Sequence, residues 1–355
     1  VPMTVASSGF RSPAIRPVLR NRLSQAVEAA EPAFPIAGGA YLQSLQEHPG
    51  YTRVFRPGHL TFGLVAPLEA YADAPWPTLE RHADAVRLVE AADFAAIWLR
   101  DVPFYDPGFG DTGPVVDPMV YAGWLAARTS RIAIGTAGIV SPLRDPLIVA
   151  KQAASIDRLS GGRFILGLAA GDRPSEFAAF GSDIGNRIER YRDALSVIRA
   201  ATEQSFPRHV SAFYGVLDGA LDMLPKPVAP ALPIVAVGRA GQDFDWLGTN
   251  TDGWLWHLSN SKRLASMIAE WRTGSDARFR PFGYGARFDL LADPDAPVDI
   301  RDATLRGGRR ALVEHWKRQR DEGVNHVMLH MKPLQRPFED VINELADHVL
   351  PEFAT

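Results

Sequence analysis

The chain has 355 residues, 46% of them hydrophobic, and a net charge near −3. That allows one large domain with a sizeable core and gives no electrostatic footprint for nucleic acid. It contains no cysteine, which excludes disulfides, thiol nucleophiles and cysteine-type zinc sites and is compatible with a cytoplasmic setting. No apolar run reaches about eighteen residues, so no membrane-spanning helix is expected. The nine histidines form neither His-x-His nor His-Glu-x-x-His, so no metal site is expected.

Residues 1–58 differ from the rest. They carry Arg11, Arg16, Arg20 and Arg22, several serines, and no acid before Glu28. This composition fits a terminal arm lying over the body of the protein and also mildly resembles a mitochondrial transit segment. It lacks the apolar core of a secretory signal. The main domain is then expected over residues 59–355.

From residue 60 strands and helices alternate. Residues 60–65 read as a strand, and Leu79, Ala83, Val86 and Val89 fall on one face of a helix. A second strand is expected over 95–99. Asp117-Pro118 starts a helix, with aspartate as N-cap and proline in the first turn. A third strand spans 131–136, and Asp145-Pro146 starts the next helix in the same way. Gly161-Gly162-Arg163-Phe164-Ile165-Leu166-Gly167-Leu168 is an apolar run between glycines, the pattern of a fully buried strand, and a helix follows near 187–201. Residues 204–232, with Pro207, Pro225, Pro227 and Pro230, break the rhythm and read as an insertion carrying a hairpin. Strands then resume near 233–237, 252–256, 283–291 and 324–330, with helices near 241–249, 261–272, 308–322 and 337–349. The segment 272–308 has the least distinct boundaries. Eight strands alternating with eight helices predict a closed (β/α)8 barrel, a TIM barrel with an insertion between its fourth and fifth strands.

Barrel enzymes place reactive groups at the C-terminal ends of their strands. Here those ends carry Glu69, Arg100, Asp101, Thr136, Asp172, Arg173, Arg239, His257, Asp289 and His330, more charge than packing requires. Each alone is more often a structural ion-pair partner; their collection at one rim points to an active site. Trp98, Phe104, Tyr105 and Trp256 are candidates for apolar pocket walls or plain core. Gly238-Arg239-Ala240-Gly241-Gln242 follows a strand and opens a helix, a context in which free backbone N–H groups attract phosphate. No Walker A sequence or well-placed Gly-x-Gly-x-x-Gly is present.

Two stretches carry a family resemblance. They are Ile134-Gly135-Thr136-Ala137-Gly138-Ile139-Val140-Ser141-Pro142, with Asp145-Pro146 after it, and Asp157-Arg158-Leu159-Ser160-Gly161-Gly162-Arg163-Phe164-Ile165-Leu166-Gly167. Glu176-Phe177-Ala178-Ala179-Phe180-Gly181 also fits. From about residue 60 onward the chain resembles the bacterial luciferase-like flavin oxidoreductases. The resemblance implies a (β/α)8 barrel with an insertion, often a homodimer, binding FMN or a deazaflavin at the strand C-termini. It implies a non-proline cis peptide at Ala137-Gly138 after Thr136, a flavin-side loop at Ala169, Ala170, Gly171 and Asp172, and a phosphate site at Gly238, Arg239, Ala240, Gly241 and Gln242. One departure matters. The family's acidic residue after the second strand is matched by Asp101, but Val102 stands where its catalytic histidine would be. Acid-base work is then expected from Asp101, Arg100, His257 or His330.

The expected activity is that of an FMN-dependent monooxygenase. It would use reduced flavin and oxygen on an apolar small-molecule substrate, with a separate flavin reductase as the candidate electron source. Two alternatives remain: deazaflavin-dependent hydride transfer, and a flavin-binding protein of the same fold without chemistry. A homodimer is expected through the helices after strands two and three, with Tyr121, Trp124, Leu147 and Ile148 at the contact; the same residues also suit packing within the barrel.

Overall fold

The computed structural model describes residues 44–354, apart from 72–73, 75, 110–112, 114, 259–262 and 274–277. The strands are β1 (Thr61–Val65), β2 (Ala96–Leu99), β3 (Ala133–Thr136), β4 (Ile139–Val140), β5 (Phe164–Ala169), β6 (Arg208–Val210), β7 (Val216–Asp218), β8 (Ile234–Val237), β9 (Trp254–His257), β10 (Phe282–Leu290), β11 (Asp299–Arg301), β12 (Thr304–Gly307) and β13 (His326–His330). The helices that matter below are α1 (Pro49–Val54), α2 (His82–Ala91), α3 (Pro118–Arg128), α4 (Pro146–Ser160), α5 (Pro174–Ala179) and α6 (Arg187–Glu203).

Eight of the strands pair in parallel in the order β1-β2-β3-β5-β8-β9-β10-β13, and β13 returns to β1. The sheet therefore closes into the expected barrel. Most of its strand residues are fully buried, as continuous apolar runs between two covered faces require. Asp117 and Asp145 cap α3 and α4 as read from the sequence, each carboxylate accepting from two first-turn amides. The insertion contains the antiparallel β6–β7 hairpin. Leu60 falls one residue before β1.

Residues 291–308 depart from the simple alternation. After β10 the chain makes an antiparallel β11–β12 hairpin, and β12 lies parallel to the end of β10. Its turn is made by Asp302 and Ala303 at φ 48° and 57°. No glycine or asparagine marks this turn, so the usual hairpin signal is missing from the sequence.

The N-terminal end of the barrel is sealed by residues 44–58. Gly50 N–H donates to Gly162 O at 2.9 Å, and a Cβ on Gly50 would lie 2.7 Å from the Arg163 backbone. His48 Nε2 sits 3.0 Å from Asp157 Oδ1, both fully buried, and Tyr51 donates its hydroxyl to Asp252 O at 2.7 Å. Above this plug the interior is filled by Trp98 and His326. The Trp98 indole N–H donates to His326 Nε2 at 2.8 Å, so the ring proton is on Nδ1, which faces Thr61 Oγ1 at 2.7 Å. Burial lowers the His326 pKa to about 3, leaving the ring neutral. Gly135 makes room for the indole: a Cβ there would lie 2.3 Å from it. Trp98 is therefore core and not a pocket wall. Among the described residues no helix is long and apolar enough to cross a membrane, and no cluster of histidine and acidic residues suited to a metal occurs.

Candidate active site

At the opposite end the strands deliver the polar residues anticipated from sequence. The Ala137–Gly138 peptide is cis. Gly138 abuts Val237, whose Cγ2 would be 2.7 Å from an added Cβ. Thr136 is fully buried and clamps the neighbouring strand in both directions: its Oγ1 donates to Gly167 O at 2.9 Å and accepts from Gly167 N at 2.8 Å. Gly171, at φ 79°, touches Val140 and Phe177, where a Cβ would approach to 2.6 Å and 3.0 Å. Ala169 and Ala170 lead into it, and Asp172 is exposed beyond. Gly138 thus lies against Val237 and Gly171 against Val140, bringing the ends of β4, β5 and β8 together.

The loop after β8 is built from left-handed residues, with φ 75° at Gly238, 50° at Ala240 and 71° at Gly241. Gly238 N–H donates to Leu255 O, and Gln242 N–H folds back to Arg239 O. Among the described residues the amides of Arg239, Ala240 and Gly241 meet no acceptor. An added Cβ at Gly238 would have only Trp256 nearby, at 3.9 Å, so the loop is open there. Gln242 is buried and anchors the loop: its side-chain N–H donates to Ala240 O at 2.8 Å, and its Oε1 accepts from Arg192 of α6. A concave run of free amides of this kind fits a phosphate.

The charged candidates separate by their partners. Asp101 is buried, and both its oxygens are engaged. Oδ2 accepts from Val140 N at 3.0 Å and Arg144 Nε at 2.9 Å; Oδ1 accepts from Arg144 Nη2 at 2.6 Å. Arg144 also donates to Asp117 Oδ2 at 2.7 Å. Burial opposes its charge, but the two carboxylates more than offset this and raise its pKa. Arg100 is half-buried at the end of β2. His257 is exposed and stacks on Trp256, ring centroids 4.8 Å apart. Desolvation lowers its pKa, and the charge of Asp172 works the other way. His330 ends β13, buried, with its ring 6.4 Å from Tyr71. Asp289 is held by Arg306 at 2.7 Å.

Sequence reasoning missed one group as a site residue. Glu176, in α5, is 4% exposed, and its Oε1 has no hydrogen-bond partner. The nearest cation, Arg173 Nη1, is 3.7 Å away and equally unsatisfied. The sequence signal was present, in that an acid stands three residues after an arginine just past a barrel strand. A six-residue helix gives too little periodicity to reveal that the acid points inward.

Around these groups the mouth is apolar. Phe104 and Tyr105, from the loop after β2, are about half exposed, as are Trp76 and Phe180. They pair as Trp76–Tyr105 and Phe104–Phe180, with centroids 6.1 Å and 5.8 Å apart. A cavity of about 220 Å³ lined by Asp101, Pro103, Asp117, Leu143, Arg144 and Phe180 lies beside them.

Comparison with known proteins bears on the family and the fold. A family profile described as luciferase-like monooxygenase matches residues 59–347. An uncharacterised protein of Mycobacterium tuberculosis is 35% identical over 142 residues, 39% of this chain and 49% of that protein. The 4-hydroxyprotoasukamycin monooxygenase of Streptomyces nodosus subsp. asukaensis is 29% identical over 187 residues, 52% of this chain and 48% of that protein. The chain thus spans about half the length of these curated relatives. Among solved structures, monooxygenase RslO1 from Streptomyces bottropensis superposes with a TM-score of 0.68 at 16% identity, covering 83% of this chain and 100% of that one. An F420-dependent secondary alcohol dehydrogenase gives 0.67 at 17%, covering 83% and 99%; at such identities the likeness is one of fold. With a family profile matched across the whole barrel, the chain belongs to the luciferase-like monooxygenase family.

Proposed function

We propose that this protein is an FMN-dependent monooxygenase acting on an apolar small molecule. The observation that carries the reading is the loop Gly238–Gln242, whose free amides at the C-terminal end of β8 suit a phosphate. When bound, reduced FMN would supply the electrons for oxygen activation. The protein's own part is positional. Arg239, Ala240 and Gly241 hold the phosphate, with the Arg239 guanidinium as a further donor. The surface at Ala137, Gly138 and residues 169–172 takes the ring. Asp101 and Arg144 fix the turn that carries Val140. The aromatic rim excludes water and admits an apolar substrate.

A separate reductase is the proposed source of reduced flavin. A homodimer is proposed through α3 and α4, where Val120 and Ile148 are 66% and 57% exposed while Tyr121 packs inward. Light scattering at micromolar concentration should give twice the chain mass; a monomer would exclude the dimer. The second reading, deazaflavin-dependent hydride transfer, draws on the fold shared with the F420-dependent dehydrogenase, because the same loop would suit that cofactor's phosphate. Fluorescence titration of the purified chain with FMN and with a deazaflavin separates the two. Tighter binding of the deazaflavin, or no reaction of bound reduced FMN with oxygen in stopped flow, would overturn the monooxygenase reading.

A further inference from the structure

We propose that Glu176 is the residue that holds and donates a proton in the barrel mouth. The inference rests on the reading of that mouth as the active site. Val102 cannot carry a proton, and both oxygens of Asp101 are taken by Arg144 and the Val140 amide. Glu176 is different. It is buried beside this pair, and its Oε1 neither accepts nor donates a hydrogen bond. Arg173 stands 3.7 Å away, too far for a hydrogen bond, with its guanidinium laid 4.8 Å over the Phe109 ring.

The groups that face Glu176 from the surrounding elements are mostly acids. Asp101 lies at the end of β2, Asp106 in the loop after it and Asp172 in the loop after β5; Arg173 is the opposing cation. Ser175 ties α5 to that β2 loop, its hydroxyl donating to Asp106 Oδ2 at 2.8 Å, so Asp106 is held in place. Desolvation is the largest influence and raises the Glu176 pKa. Arg173 lowers it, and Asp101, Asp172 and Asp106 raise it further. The carboxyl therefore keeps its proton above the usual carboxylate range. In the proposed step the proton leaves Glu176 for an oxygen that has gained negative charge in the bound reactants. The glutamate is left ionised next to Arg173 and is reprotonated from water; no electrons pass through the protein.

The test uses the full chain and the variants Glu176→Gln and Glu176→Asp. Without flavin, wild-type-minus-Gln infrared difference spectra should show a protonated-carboxyl band that persists above the pH at which exposed carboxyls have ionised. The folded chain binds this proton more tightly than the unfolded chain. The associated stability is therefore present at low pH and lost as pH rises, and Glu176→Gln should gain on wild type as pH rises past the ordinary carboxylate range. With reduced FMN bound, Glu176→Gln should slow reoxidation by oxygen at least about tenfold and flatten its pH profile, and Glu176→Asp should restore part of both. Absence of the band would show an ordinary ion pair with Arg173 and overturn the proposal. So would a band accompanied by wild-type kinetics and pH profile in the Gln variant. Failure to bind FMN would instead remove the flavin reading and leave the infrared result to decide whether Glu176 holds a proton.

Discussion

Gly241→Ala isolates the role of the loop after β8. Gly241 has φ 71°, and an added Cβ would lie 2.5 Å from Ile188 Cδ1 and 2.8 Å from its Cγ1. An alanine held in the left-handed region costs about 1–2 kcal/mol. The overlap reaches both Cδ1 and Cγ1 of Ile188 on α6, a β-branched side chain stiff at its first torsion, so a steric cost adds to the backbone strain. The loop relieves that strain by leaving the conformation that aims its amides outward. If binding must restore this conformation, a cost of about 1–2 kcal/mol weakens FMN affinity roughly 5- to 30-fold. Gly161→Ala is the control: its φ is 72°, nothing lies within 4 Å of the added Cβ, and it caps α4 at the other end of the barrel. Gly161→Ala should lose only the backbone part of that stability in urea, and Gly241→Ala at least as much. Only Gly241→Ala should raise the FMN Kd in a fluorescence titration. Equal Kd values for the two variants would refute the assignment of the loop.

Asp101→Asn removes one of two carboxylates on Arg144, so it should cost about 1–3 kcal/mol of stability in urea denaturation; full stability with slowed turnover would instead give Asp101 a direct part in the chemistry. His326 is neutral when folded, with a pKa lowered to about 3. Its contribution is therefore complete above the ordinary histidine range and lost as pH falls towards that value. Replacing it with glutamine should reduce the acid-side slope of stability by about 1.4 kcal/mol per pH unit, and an unchanged slope would mean that the ring takes up its proton as readily in the folded chain as in the unfolded one. Gly167→Ala would place a Cβ 1.9 Å from the Thr136 carbonyl oxygen and should abolish soluble folded protein. Gly123→Ala, with nothing within 4 Å, should stabilise α3 by about 0.5–1 kcal/mol in thermal melts.

The barrel was legible because its signals are local. Apolar runs between glycines, and the Asp-Pro starts at Asp117 and Asp145, each determine an element without reference to distant residues. The β11–β12 hairpin was not legible, because its turn uses Asp302 and Ala303 at positive φ and the strands beside it are only half-buried. For the site, the glycines at 138, 171, 238 and 241 could be anticipated as places of close approach. The partners of the charged residues could not: Asp101 meets Arg144 across 43 positions in the chain, and no spacing rule predicts that. The solitary state of the Glu176 Oε1 atom is a property of three-dimensional burial, and the sequence shows only an acid in a short polar stretch.

The plug formed by residues 44–58 bears on where the working unit begins. The family profile starts at residue 59, and cutting there would look natural. Such a cut would remove His48 from Asp157, leaving that carboxylate only the Val228 amide, and expose the neutral histidine and indole that fill the barrel floor. Water would then reach buried polar groups from below, while every residue of the mouth remained in the polypeptide. A chain shortened to the profile should therefore fail by softening from its base and only secondarily lose ligand binding, and protease resistance would report the damage before any flavin assay.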